Sequence, residues 1–214
     1  MNQLLSGIRV LDLTRALAGP LCTALLSDFG ADIIKVETRS GGDSSRQWPP
    51  FDGSDSLYFA SVNRGKRSVA LDMRSEQGRK LLRRMAVDVD VIVENFRPGV
   101  LADMGLDQES LAEDNPGVIV MSVSGFGPTG PEQFSPGLDQ VAQGMSGLMS
   151  VTGAGDHTPM RVASRSSTRC PVSMRRWASR RHSCPGAMTA PAITCRRRCS
   201  NRPCRSCRSR RRTT

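Results

Sequence analysis

Two short apolar segments with a helical segment between them decide the fold of this chain. They are IRVLDLT at residues 8–14 and ADIIKVE at residues 31–37, and both contain the Val and Ile that strands favour. Between them, LCTALLSDF at residues 21–29 is largely apolar and stops at Gly30, a residue that often ends helices. This order predicts a βαβ unit, with parallel strands and a right-handed crossover.

The same alternation continues along the chain with less regularity. It predicts strands over residues 67–71, 89–94 and 118–124, a helix from the N-cap Ser75 to Ala86, and a shorter helix near residues 108–113. Residues 40–61 are rich in Gly, Ser and Pro and are interpreted as a long loop. The fold class predicted is α/β, with a Rossmann-like parallel sheet and flanking helices that form part of a large domain.

Charge divides the chain after Val162. Of the 30 basic and 20 acidic residues that give a net charge of +10, residues 1–162 hold 15 basic and all 20 acidic ones, a balance of −5. Residues 163–214 hold the other 15, all Arg, and have no Leu, Phe or Tyr. Such a segment cannot bury enough apolar surface to offset a backbone entropy of about 1–2 kcal/mol per residue. We predict a globular unit over 1–162 and a disordered Arg/Ser/Cys-rich tail over 163–214.

Cysteine usage and hydropathy bear on location. Six of the seven cysteines lie in the tail, which leaves Cys22 alone in the globular unit and predicts a reducing, cytoplasmic environment. The sequence shows no signal peptide and no run of about 18 apolar residues, so no membrane partner is expected. The basic balance belongs to the tail, so nucleic acid is not expected as a partner except non-specifically through those arginines.

Three polar segments fall at predicted strand ends. Arg15–Pro20 follow the first strand and place Pro in the first helical turn, where phosphate or carboxylate binds well, although a plain βα turn is the alternative. NRGKR at 63–67 groups three cations, and ENFRPG at 94–99 combines an amide, an aromatic ring and a cation. Each is also explained by a solvated or strand-ending turn.

Taken together and in order, these segments resemble a known family. The set is GIRVLD at 7–12, AGP at 18–20, GADIIKVE at 30–37, NRGKRS at 63–68, LD at 71–72, ENFRPG at 94–99 and SGFG at 124–127. It resembles the family III CoA-transferases, or CaiB/BaiF family, which includes formyl-CoA transferase and the α-methylacyl-CoA racemases. The resemblance implies a coenzyme A-binding domain, a small second domain and a homodimer of interlocked chains. Coenzyme A or acyl-CoA would be a substrate beside a carboxylic acid, with no permanently bound cofactor and no metal.

The resemblance also implies coenzyme-binding positions. By motif, the family contacts coenzyme A where this chain has Leu17, Ala18, Leu71, Asp72, Met73, Arg74, Asn95, Phe96 and Arg97. Thr38 and Asp103 stand where formyl-CoA transferase has basic residues, and Arg39 is expected to reach the same phosphates as the first of these.

Residues 136–143 bear on the choice between transferase and racemase. The racemases resemble Gly-His-Asp at this place, because His is one of two groups that move an α-proton, and this chain has Leu138. Asp139 resembles the transferase branch and is a candidate for active-site support, with a buried or loop-capping carboxylate as the alternative. A racemase remains the second enzyme hypothesis.

The expected nucleophile is missing. In the transferases an aspartate about 20 residues beyond the Ser-Gly-Leu-Met segment attacks the acyl-CoA thioester. It falls at position 168, where this chain has Thr168. If the reading frame of the tail is shifted back by one base, and the codons are chosen among synonyms, residues 163–168 become Gly-Ile-Pro-Val-Val-Asp. In the shifted frame, the codons of Trp177 and Ala178 must encode Gly across their boundary. Those of Met174 and Arg175 encode Ala if the arginine codon is CGN. Both residues are the ones that the family has at these places. We therefore interpret the tail as out of frame, and the chain as a truncated and inactive transferase.

Other functions of the tail are weaker hypotheses. Cys195, Cys199, Cys204 and Cys207 are four potential zinc ligands, but their spacing is not that of two paired knuckles. A non-catalytic fragment that binds coenzyme A or RNA is the non-enzyme alternative.

Overall fold

A parallel sheet forms the centre of the protein. The computed structural model describes residues 4–153 and 158–162, and the backbone of 193–196. The five parallel strands are β1 Arg9–Asp12, β2 Asp32–Glu37, β5 Lys66–Ala70, β6 Val91–Glu94 and β7 Ile119–Val123. A short hairpin, β3 Phe51–Asp52 with β4 Asp55–Ser56, stands apart from them. The predicted α/β fold with a parallel sheet is confirmed.

Five α-helices accompany the strands in the described part of the chain. They are α1 Ala18–Asp28, α2 Leu57–Asn63, α3 Glu76–Val87, α4 Val100–Asp103 and α5 Asp139–Met145. The predicted βαβ unit is β1-α1-β2, with Val10 opposite Ile33 in the parallel register. The hydroxyl of Ser75 accepts a hydrogen bond from the Gly78 amide at 3.0 Å, so the predicted N-cap of α3 is confirmed.

Two sequence predictions are wrong. Residues 108–113 form turns rather than a helix. Residues 40–61 are ordered structure rather than a loop, with a 3₁₀ helix at Ser44–Gln47, the β3-β4 hairpin and the start of α2. Side-chain caps, which leave no apolar periodicity in the sequence, start the helices there. Asp43 accepts a hydrogen bond from the Ser45 amide, and Ser56 accepts one from the Phe59 amide.

The two faces of the sheet are covered separately. Leu11 and Leu13 point to one face, where Leu82 and Ala86 of α3 pack, and Val10 points to the other, where Leu26 of α1 packs. Each face therefore has its own apolar core. No helix among the described residues is long and apolar enough to cross a membrane.

The order of strands in the sheet is β5-β2-β1-β6-β7, with a sixth strand, β8 Ile193–Arg196, beside β7. The chain moves outward from β1 through β2 to β5, then returns to the other side of β1 and moves outward through β6 to β7. The carboxyl ends of β1 and β6 therefore diverge into a crevice, the usual position of ligands in such sheets. Strand β8, Ile193–Arg196, pairs antiparallel with β7. The rest of the tail that was predicted to be disordered lies outside the described residues.

Leu82 tests the packing of α3 against the sheet. Its side chain is fully buried, whereas that of its neighbour Leu81 is 43% exposed. We expect Leu82→Ala to lower the free energy of unfolding by about 2–5 kcal/mol, because it removes core contacts and leaves a cavity. Leu81→Ala, the matched control, should cost less than about 1 kcal/mol. Urea unfolding followed by circular dichroism measures both, and equal losses would contradict the packing described.

Candidate functional site

A cleft of about 720 Å³ opens at the carboxyl edge of the sheet, where β1 and β6 diverge. The turns after β1, β6 and β7 form its floor, and α5 with the segment before it forms one wall. Four α1 side chains and Trp48 form another wall, and Arg161 and Val162 also line the cleft. The charged residues lining the cleft are Arg15, Arg97, Arg161 and Asp139. Three guanidinium groups against one carboxylate make this cleft suitable for an anion.

Asn95 joins the two turns across the crevice. Its side-chain oxygen accepts from the Arg15 amide at 2.9 Å, and its side-chain nitrogen donates to the Arg15 carbonyl at 2.8 Å. The Arg15 guanidinium lies 5.5 Å from the centre of the Phe96 ring, within cation–π range. Strands β1 and β6 thus present their loop residues as one surface.

The turn after β6 is shaped by Glu94. This buried carboxylate accepts from the Phe96 amide at 2.7 Å. Burial raises the pKa of Glu94, while hydrogen bonds from Ser122 and Phe96 oppose the increase. Glu94 therefore orients the backbone of a cleft residue without lining the cleft itself.

Two buried ion pairs lie next to the turn after β1. Lys35 pairs with Asp43 at 3.0 Å, with each side chain 1% exposed, and Lys66 pairs with Asp12 at 3.0 Å. Burial raises the pKa of Asp43, but hydrogen bonds from Ser45 and the charge of Lys35 outweigh it and lower the pKa overall. Burial lowers the pKa of Lys66 to about 8, with Asp12 opposing the decrease. Such charges persist in an interior only when paired and hydrogen-bonded.

A second ion pair fixes the segment that carries Trp48. The Arg46 guanidinium donates to both carboxylate oxygens of Glu37, at 2.7 and 2.8 Å, and lies 3.8 Å from the centre of the Phe59 ring. The amide of Asp43 donates to Glu37 as well, at 2.9 Å. This arrangement attaches residues 43–47 to the end of β2 and brings Trp48 to the cleft.

Asp139 lies at the opposite wall and is linked through Gln143 to the backbone at Val162. Its carboxylate accepts from the side-chain nitrogen of Gln143 at 2.8 Å, and the Gln143 side-chain oxygen accepts from the Val162 amide at 2.9 Å. Gln143 is 1% exposed. The buried amide thus fixes the backbone six residues before position 168, which itself lies outside the described residues.

Backbone contact between two glycines closes the floor beside α5. A Cβ atom added to Gly125 would lie 2.3 Å from the Gly137 Cα, and one added to Gly137 would lie 2.5 Å from the Gly125 Cα. The turn after β7 and the segment leading into α5 approach so closely because neither residue has a side chain.

The structure brings together about half of the sequence-predicted site residues. Leu17, Ala18, Asn95, Phe96 and Arg97 line the cleft, and so does Asp139. The others follow β2 and β5 at the same edge of the sheet but outside this cleft, namely Arg39, Leu71, Asp72, Met73 and Arg74. Leu71 and Met73 are buried in the core, whereas Arg39, Asp72 and Arg74 are exposed.

Sequence reasoning missed Trp48, Gln143 and the Lys35–Asp43 pair. Trp48 was not considered for the site because residues 40–61 were interpreted as a loop. The feature that could have indicated it is an aromatic residue followed by two prolines. Gln143 and Lys35 had no local signal, because the backbone groups that they bind, at Val162 and Thr14, come together only in the folded structure. No group of three His, Cys, Asp or Glu that could hold a metal occurs in the described part of the chain.

Comparison with known proteins identifies the family. The CoA-transferase family III model matches residues 5–167. The chain belongs to CoA-transferase family III. The resemblance predicted from the sequence is therefore confirmed.

Individual relatives agree with this family. The chain is 49% identical to succinate–glutarate CoA-transferase of Agrobacterium fabrum, over 74% of this chain and 41% of that protein. It is 46% identical to human succinyl-CoA:glutarate CoA-transferase, over 73% of this chain and 36% of that protein. The chain thus spans about two fifths of the length of these relatives.

Solved structures share the fold. A CAIB/BAIF family protein from Brucella suis has a TM-score of 0.75 and 40% identity, over 84% of this chain and 50% of its own. A hypothetical protein from Mycobacterium tuberculosis has a TM-score of 0.72 and 34% identity, over 82% of this chain and 48% of its own.

Glu37 predicts an acid-sensitive part of the stability. Burial raises its pKa, but hydrogen bonds from Arg46, Ser68 and Asp43 outweigh this and lower the pKa to about 2. A lowered folded-state pKa stabilises the fold above about pH 4.5, and this stabilisation is lost as the pH falls towards 2. We expect this group to account for a loss of about 2–3 kcal/mol in the free energy of unfolding. This is less than the full change in pKa implies, because solvent screens the half-exposed Arg46.

Glu37→Gln should remove that part of the pH dependence and lower stability at pH 7. Urea unfolding at a series of pH values between 2 and 7 measures it. Glu76→Gln, at an exposed pair on α3, is the control and should leave the dependence unchanged. An equal decline in the Glu37→Gln chain and the unmodified chain would contradict the role of this ion pair.

Proposed function

We propose that this chain carries the coenzyme A-binding part of a CoA-transferase, an enzyme that moves coenzyme A from an acyl-CoA donor to a carboxylic acid. The observation that carries the proposal is the cleft between β1 and β6, lined by the turn at residues 15–18 and by Asn95–Arg97, in a member of family III. Coenzyme A is then a substrate and not a permanently bound group.

The chemistry of the cleft supports coenzyme A binding. Its anionic phosphates suit the guanidinium group of Arg97, and its apolar arm suits Leu17 and the α1 side chains that line the cleft. Exposed Arg39 and Arg74, outside the cleft but at the same edge of the sheet, are proposed as further phosphate contacts.

The acceptor we propose is a dicarboxylic acid. The relatives are named for succinate and glutarate, and another, 46% identical over 40% of its length, for oxalate. After one carboxylate has entered the reaction, the second needs a cation, and Arg15 and Arg161 are available in the cleft.

The reaction we propose proceeds through an aspartate at position 168. Its carboxylate attacks the thioester carbonyl, which expels the coenzyme A thiolate and forms a mixed anhydride. The thiolate then attacks the aspartyl carbonyl, releasing the donor acid and leaving an enzyme thioester. The acceptor carboxylate attacks this thioester, and the thiolate expelled again finally attacks the acceptor's carbonyl, which restores the aspartate. Gln143 would hold the segment that leads to this nucleophile.

The chain as written has Thr168, whose hydroxyl cannot replace a carboxylate in this sequence of steps. We therefore propose that it binds coenzyme A without transferring it, and that its residues from 163 onward are read out of frame. The absence of acidic residues from 163–214 supports this proposal.

Location and assembly are proposals of the same kind. A single, buried cysteine in the globular unit is compatible with a reducing cytoplasm. A homodimer is proposed for the whole enzyme, and it rests on the family resemblance.

Arg97 tests coenzyme A binding. We expect calorimetry to detect binding of coenzyme A to the 214-residue chain, and Arg97→Ala to weaken it about tenfold, because a charge-assisted contact to phosphate is lost. Arg84→Ala, an exposed arginine on the outer side of α3, is the matched control and should leave the affinity unchanged. Equal affinities for both variants would remove Arg97 from the site.

Transferase activity tests the nucleophile. We expect no exchange of coenzyme A between succinyl-CoA and glutarate with the 214-residue chain. A protein in which the frame is restored after Val162 should catalyse it, and replacing its aspartate at position 168 by asparagine should abolish it. Exchange by the chain as written would contradict the proposal. Loss of α-deuterium from a 2-methylacyl-CoA with the restored protein would favour a racemase.

The nucleotide sequence around codon 162 tests the frame directly. An inserted or deleted base at this point, relative to a repeated sequencing read or a second isolate, is the expected result. An unchanged frame would show that the tail is the gene's own product.

A further inference from the structure

We infer that the buried Lys35–Asp43 ion pair positions the coenzyme site by holding Ala16, in the turn after β1, in a left-handed backbone conformation. The inference rests on the proposed function of the cleft, because it assigns residues that shape that cleft from outside it. Lys35 and Asp43 do not line the cleft and are positioning residues rather than catalytic ones.

Ala16 has an unusual backbone conformation. Its φ is 69°, and no other non-glycine residue in the described part of the chain has a positive φ. This region is unfavourable for residues with a Cβ atom and persists only where the surroundings enforce it. Contacts with the surrounding structure are therefore needed to maintain this conformation of Ala16.

The ion pair makes hydrogen bonds to this residue and to the backbone just before it. The Lys35 ammonium donates to the carbonyl of Thr14 at 2.8 Å, and the Asp43 carboxylate accepts from the Ala16 amide at 3.2 Å. The same Asp43 oxygen accepts from the amide and hydroxyl of Ser45, at 3.0 and 2.8 Å. One partner thus binds the backbone before the strained residue and the other binds the strained residue itself.

The conformation of Ala16 sets the directions of its two neighbours. Arg15 and Leu17 both line the cleft, and Arg15 is also bonded to Asn95 and stacked on Phe96. If Ala16 relaxed to a negative φ, the backbone on either side would rotate and at least one of these contacts would be lost.

Stability alone is a weak explanation for this ion pair. A buried ion pair is often no more stabilising than apolar residues of the same size, since the cost of desolvating two charges offsets their attraction. The pair is fully enclosed, and apart from the bonds of Asp43 to Ser45 its hydrogen bonds go to the backbone of the turn after β1 rather than to the strands around it. A role in holding the turn accounts for both observations.

Asp43→Asn, Ala16→Gly and the double variant test the inference in the full 214-residue chain. Asp43→Asn removes the charge, so we expect coenzyme A affinity to fall at least tenfold. In the Ala16→Gly background the same change should cost less than threefold, because glycine adopts a positive φ without a steric penalty. Asp28→Asn makes the same chemical change at an exposed ion pair with Arg64 and is the control.

Two further measurements separate positioning from stability. The unfolding temperature should fall by the same amount when Asp43→Asn is made in either background, because glycine does not repair a lost ion pair. Hydrogen exchange of the backbone amides at residues 14–18, without ligand, should accelerate at least tenfold in Asp43→Asn and not in Asp28→Asn. The exchange result decides the inference even if the unmodified chain fails to bind coenzyme A, an outcome that would count against the proposed function instead.

Equal losses of affinity in both backgrounds, or unchanged amide exchange in Asp43→Asn, would overturn the inference. If Asp43→Asn does not fold, Ala16→Val replaces it, because a β-branched residue tolerates a positive φ less well than alanine. Its turn amides should exchange faster and its coenzyme affinity should fall at least tenfold, with the fold intact by circular dichroism. Unchanged exchange in this variant would also overturn the inference.

Discussion

The pairing of β1 with β2 on one side and β6 on the other is the constraint on which the rest of the structure depends. Because all three strands are parallel, their carboxyl ends meet at one edge, and because the chain reverses its direction of travel at β1, the loops there separate. The cleft follows from this topology before any side chain is considered. Asn95, bonded on both sides of Arg15, then converts two separate turns into one surface.

Local signals in the sequence predicted the framework well. The apolar segments of β1 and β2 and the cap at Ser75 act over a few residues, so their structure can be derived without knowing the fold. The prediction for residues 40–61 failed because their order comes from side-chain caps and from ion pairs with β2, of Arg46 with Glu37 and of Asp43 with Lys35, and these leave no periodic pattern. Residues 108–113 failed in the opposite way, since local helix propensity is a weak preference that the tertiary structure overrides.

The same distinction holds for the candidate site. The residues that follow β1 and β6 were predictable, because parallel strands place their ends together. Trp48 and Gln143 were not, since a residue reaches the cleft from the 3₁₀ segment or from α5 only after the tertiary structure has formed. Family resemblance extended the prediction to Arg39 and to residues 71–74, which lie at the same sheet edge but outside the cleft. Physical reasoning and resemblance thus contributed different parts of the site.

The contact between Gly125 and Gly137 has a consequence for the variability of this cleft. Most of its walls are side chains, which evolution or an engineer can enlarge, shrink or recharge one at a time. At this one place the wall is main chain against main chain, and a single added methyl group would force two segments apart. The shape of the cleft can therefore change through substitutions in α5 and near Trp48, while the two glycines beside α5 tolerate no side chain. A lineage that changes its substrate would be expected to keep both glycines.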